Sequence, residues 1–179
     1  MAQEFSDISQ QLETWYARDA GERLFTEVRE RSRPILEMAF GYHILQLGPL
    51  PGRSLLDNSR IHHRILAGDA DSGGVGLVCD CDELPLESES VDMIVALHAL
   101  EFCANPHNSL REMQRVLTPH GHLLIVGFNP YSLKGASQRV RASLGHPLWQ
   151  SRRPVSPYRL TDWLNLVGCQ IENVDHLYP

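Results

Sequence analysis

Four polar side chains close apolar runs in this chain: Asp69, Asp71, Asp80 and His98. Asp80 ends the run VGLVCD, where an ionised carboxylate offers acceptors only and suits an amino or hydroxyl donor. Asp69 and Asp71 follow HRILAG, roughly 20 residues after Gly48, the interval at which a nucleotide-binding fold presents a carboxylate to ribose hydroxyls. The same two aspartates serve equally well as turn residues in GDADSGG. His98 ends VDMIVALH, where a neutral imidazole can take a proton from a nucleophile. Glu101, three residues on, reads as a loop or helix-start carboxylate.

The elements that must hold these residues alternate. Residues 6–18 predict a helix with Ile8, Leu12, Trp15 and Tyr16 on one face, and a second helix runs from Glu22 through Pro34 to Gly41. Strands are expected over 42–48, 63–68, 75–80, 91–98 and 121–128, with a last one over 170–177. Asn105 followed by Pro106 opens a helix, another falls near 132–144, and Ser156-Pro157 opens one closed by Gly168. Continuous apolar strands between helices predict an α/β, doubly wound, parallel sheet covered on both faces. Ligands of such sheets sit beyond the carboxyl ends of the strands, here where the first and fourth strands diverge. Residues 49–74 are too few for two full crossovers and a strand, so at least one helix must shrink to a loop. Residues 1–40 read as a helical appendage and residues 41–179 as the α/β domain.

Composition sets the bounds. The 179 residues suit one core, and 42% apolar with 21% charged residues is ordinary for a water-soluble chain. No run is apolar for long enough to span a bilayer, and MAQEFSDISQQ lacks the features of a signal peptide, so a cytoplasmic location is expected. Cys79 and Cys81 have no second pair at zinc spacing, and the nine histidines show no metal-binding pattern, so no metal is expected. A net charge of −6 argues against nucleic acid as a partner. Between Glu112 and Asp162, however, there is no acid and seven cations, +7 against −13 for the rest of the chain. If residues 132–153 form a lid, Lys134, Arg139, Arg141, Arg152 and Arg153 would make a positive rim favouring an anionic small molecule.

The stretch from Cys79 to Pro130 resembles the second half of a class I S-adenosylmethionine (SAM)-dependent methyltransferase domain of the small type-11 kind. The matching landmarks are Asp80, Leu84-Pro85, Asp92, Leu100-Glu101, Glu112, Arg115-Val116-Leu117, Pro119 and Gly121. The ending GFNPYS is similar to that of a proteobacterial subgroup with a degenerate glycine-rich loop. The resemblance spans about 41–177 and is strong from 75 to 130. It implies a Rossmann-like fold with SAM as cofactor and a small-molecule substrate. Asp80 would then accept from the adenine amino group while the Cys81 N–H reaches a ring nitrogen, and His98 would lie beside the methyl donor.

The first loop departs from the family's acid followed by G-x-G-x-G. In LQLGPLPG, Gln46 stands for the acid, Gly48 and Gly52 match the outer glycines, and Leu50 replaces the middle one. Leu50 would intrude where backbone approaches ligand, and Pro49 and Pro51 remove two donors. Two readings follow. The first is a methyltransferase with weakened SAM binding, which Gln46→Asp with Leu50→Gly would tighten. The alternative is a catalytically inactive, methyltransferase-like binding module. The resemblance also implies two C-terminal strands, of which this sequence has room for one. That shortened pair leaves an edge which 170–177 would fill beside 121–128, or a second copy of the chain would fill in a homodimer.

Overall fold

The computed structural model describes residues 2–50, 52–68, 74–129 and 155–177. Helix α1 (Ala2–Tyr16) turns at once into α2 (Asp19–Met38), which continues through Pro34 to the exposed linker ahead of β1 (His43–Leu47). Among the described residues of the first crossover the helical structure is a single 3₁₀ turn at Leu56–Asn58, in keeping with the short interval. Then come β2 (His63–Gly68), β3 (Leu77–Val78), β4 (Val91–Leu97), the short α3 (Ala99–Phe102), α4 (Pro106–Val116), β5 (Leu117–Val126) and α5 (Pro157–Leu166).

The five strands are all parallel in the order β3-β2-β1-β4-β5. The central pair is in register from Ile44 opposite Met93 to Leu47 opposite Ala96. Alternation along β1 and β4 divides the core. Ile44, Met93, Val95 and Leu97 pack under α1 and α2 with Leu12, Tyr16, Phe25, Val28 and Leu36. Leu45, Leu47, Ile94 and Ala96 pack on the other face with Leu110, Met113 and Val116 of α4. The apolar stripe of α1 is therefore part of the same core as the sheet.

Local signals act where expected. The Asn105 side chain accepts from the Asn108 N–H at 3.3 Å, and Pro106 takes the first helical position of α4. Ser156 does the same for α5, accepting from the Arg159 N–H at 3.2 Å. Arg115 holds Glu112 at 2.8 Å and also donates to the Leu84 and Leu86 carbonyls, fastening the segment after β3 to α4.

Two expectations change. The third strand shrinks from 75–80 to Leu77–Val78, because only Ala67 and Gly68 of β2 pair with it. Residues 170–177 form no strand, and among the described residues the C-terminal strand pair does not exist. That segment instead returns toward α2, where Asp175 meets Arg31 at 3.3 Å and Leu177 packs against the core under the helices. The expected helix near 132–144, the basic rim and the aspartates at 69 and 71 lie outside the described residues.

Candidate functional site

In this parallel sheet the carboxyl ends of β3, β2, β1 and β4 lie along one edge, with the switch point between β1 and β4. Gly48 leaves β1 with φ of 143°, and a Cβ at this position would lie 1.9 Å from the Leu97 carbonyl oxygen at the end of β4. Only glycine permits that conformation and that approach together. Its N–H donates to the Ala67 carbonyl at 3.4 Å, tying the loop to β2 as well.

The rest of the loop serves the protein interior. Gln46 is buried on the α1–α2 face of β1, and both of its polar atoms are bonded: Nε2 donates to the Arg53 carbonyl at 2.8 Å and Oε1 accepts from the Leu55 N–H at 2.9 Å. A carboxylate could accept from Leu55 but could not donate to Arg53. Glutamine is therefore the residue that pins this shortened crossover, with both of its polar atoms engaged by the protein. Leu50 is likewise turned inward, buried with Leu55, Leu56 and the α1 and α2 side chains. The expectation that its side chain would intrude on a ligand is corrected by this placement. Gly52 passes under α1, where a Cβ would lie 2.8 Å from Glu13 Oε1.

On the β3 side, the Cys79 N–H donates to the Gly68 carbonyl at 2.8 Å, and Asp80 begins a turn in which its carbonyl accepts from Glu83. Asp80 is exposed, and its carboxylate makes no hydrogen bond or ion pair among the described residues. Cys81 is half-buried beside it, against the α4-side core.

His98 has a different setting from the one its sequence suggests. It lies at φ 56°, in left-handed conformation, at the N-cap of α3, and is 2% exposed. Such backbone costs of order 1–3 kcal/mol and persists only where surroundings dictate it. Here the surroundings are polar partners on both sides. Nδ1 lies 2.6 Å from Glu101 Oε2, and the Tyr16 hydroxyl lies 2.6 Å from Nε2. Because the carboxylate can only accept, the proton sits on Nδ1 and the hydroxyl donates to Nε2. The second Glu101 oxygen accepts from the Phe128 N–H at 3.0 Å, and the Phe128 ring stacks on the imidazole at 4.2 Å. Burial first, then the Glu101 charge, drives the Tyr16 phenol far above its ordinary pKa, against a smaller opposite pull from Arg53.

Sequence reasoning missed this line of three groups. The His98–Glu101 spacing of three residues was a readable signal, since such pairs face each other on a helical turn. Tyr16, 82 residues away, left none. Among the described residues no cluster of three or more His, Cys, Asp or Glu could hold a metal ion, and no helix is long and apolar enough to cross a membrane.

Residues 45–125 match a family profile described as a methyltransferase domain. YafS of Escherichia coli strain K12, itself an uncharacterized protein, is 31% identical over 160 residues, covering 88% of this chain and 66% of its own length. The 27-O-demethylrifamycin SV methyltransferase of Amycolatopsis mediterranei is 28% identical over 126 residues, 68% of this chain and 46% of that protein. The chain thus spans about two thirds of the first relative and under half of the second. A SAM-dependent methyltransferase of Thermotoga maritima superposes with a TM-score of 0.71 at 18% identity, over 94% of this chain and 81% of that one. At that identity the likeness is one of fold.

Proposed function

We propose that this chain, whose residues 45–125 match the methyltransferase-domain family, is a class I SAM-dependent methyltransferase that binds SAM weakly and directs its methyl group to a small, anionic acceptor. The observations that carry this reading are Gly48 at the β1–β4 switch point and the exposed Asp80 carboxylate after β3. An acceptor followed by a donor fits the adenosine end of the cofactor: Asp80 would accept from the amino group and the Cys81 N–H would donate to the ring. Asp69 and Asp71 would serve the ribose hydroxyls. The cofactor supplies an electrophilic methyl group on a sulfonium, so alignment and desolvation can provide much of the rate without a strong base.

Binding is weak on this reading because two contributions at the other end are missing. Gln46 is spent on the crossover, and Pro49 and Pro51 lack N–H groups. Together these cost about 3 kcal/mol, near two decades, which puts the dissociation constant at ~0.1–1 mM. The acid-free interval with its seven cations supports an anionic acceptor.

A second reading has its own observation. His98, at the end of β4, is buried with both ring nitrogens engaged by Tyr16 and Glu101. A chain that retains the fold while closing that residue off would serve as a non-catalytic binding module. Calorimetric titration with SAM and its demethylated product, followed by a radiolabelled-methyl assay on anionic metabolite pools, separates the two. Binding with transfer supports the enzyme, binding without transfer supports the module, and no binding overturns the SAM reading.

A further inference from the structure

The first strand contributes no acid to the loop, yet a carboxylate reaches that loop from another part of the chain. Glu13 lies on α1, and its Oε1 stands 2.8 Å from where a Cβ on Gly52 would be. Its other oxygen, Oε2, accepts from Arg53 Nε at 3.3 Å. Arg53 is shared, since its Nη2 also holds Glu22 at 2.7 Å. Glu13 Oε1 is fully buried and has no hydrogen-bond partner among the described residues. A buried carboxylate oxygen in that state is unfavourable until a donor arrives. The one other buried side-chain oxygen lacking a partner among the described residues, Gln11 Oε1, is also on α1.

We propose that Glu13 recovers part of the binding lost with the strand acid by receiving the α-ammonium of the ligand's amino-acid end. This rests on the SAM reading above. The ammonium carries three donors and a positive charge, so it would satisfy Oε1 and offset a charge that Arg53 only half balances. Gln46 cannot compete for this role, because its amide is bonded to Arg53 and Leu55. The absence of a side chain at Gly52 is what brings the carboxylate onto the loop. The helical appendage thereby becomes part of the cofactor site.

The test uses the full chain and two probes: S-adenosylhomocysteine, which carries the amino acid, and 5′-methylthioadenosine, which lacks it. Glu13→Gln should weaken S-adenosylhomocysteine about ten-fold, one charged hydrogen bond's worth, and leave methylthioadenosine unchanged. Retained methylthioadenosine binding also certifies that the variant is folded. Glu22→Gln removes the other Arg53 partner from an exposed position and should leave both ligands unaffected. Unchanged S-adenosylhomocysteine affinity in Glu13→Gln overturns the proposal, as does an equal loss for both probes, which would mark Glu13 as a structural support. If the unmutated chain binds neither probe, the SAM reading itself fails and this assignment falls with it.

Discussion

Tyr16→Phe is the substitution that bears most directly on the buried line of Tyr16, His98 and Glu101. It removes one oxygen, keeps the ring that packs against Phe25 and Phe128, and leaves His98 Nε2 buried without its donor. A lost hydrogen bond together with an unsatisfied buried acceptor costs about 1–3 kcal/mol. For a chain of this size, about 2 kcal/mol lowers the melting temperature by roughly 4–8 °C. The pH dependence supplies a second reading of the same contact. Because the folded pKa of Tyr16 is raised, its contribution is fully present below the unfolded value near 10 and is lost as pH rises above it. The unfolded chain then releases a proton that the folded chain keeps. Urea unfolding of both proteins should therefore show a gap of about 2 kcal/mol at pH 8 that shrinks by about 1.4 kcal/mol by pH 11. Equal stabilities at pH 8 would refute the hydrogen bond to His98, and a constant gap up to pH 11 would refute the burial of the phenol.

Other substitutions test the first loop. Leu50→Gly should cost about 3–5 kcal/mol by urea unfolding, since it empties a core position, and should not tighten SAM. Gln46→Asp should destabilise by about 1–3 kcal/mol, because the shorter acid cannot donate to the Arg53 carbonyl, so the combined repair is expected to weaken the fold. Asn105→Ala should cost about 1 kcal/mol through loss of the α4 cap, with cofactor affinity unchanged in calorimetry.

Much of the fold was legible because short-range patterns determine it. Residues 63–68 form β2 as read, Asn105 and Ser156 cap their helices, and among the described residues of the 49–74 interval a 3₁₀ turn stands in place of a helix. The extent of β3 was not legible, because its length depends on how much of β2 remains to pair with it. Residues 170–177 have a strand-like pattern yet pack back toward α2, where an ion pair and Leu177 hold them. At the site, Gly48 was readable from its place after a buried strand. The roles of Gln46 and Leu50 were not, because sequence shows which residue occupies a loop and not which way it faces. Glu13 and Tyr16 were hidden for a related reason. They sit on an amphipathic helix whose docking position against the loop and β4 is a tertiary fact.

The central claim is that SAM binds at the β1–β4 switch point, held chiefly from its adenosine end. The direct measurement is a calorimetric titration of SAM into the full chain and into Asp80→Ala. Asp80 is exposed, so its removal should alter stability by no more than about 0.5 kcal/mol and any effect on binding is local. The expected dissociation constant is ~0.1–1 mM for the unmutated chain, with no measurable binding for Asp80→Ala. Low-micromolar binding by the unmutated chain would contradict the weakened loop, and undiminished binding by Asp80→Ala would contradict the site.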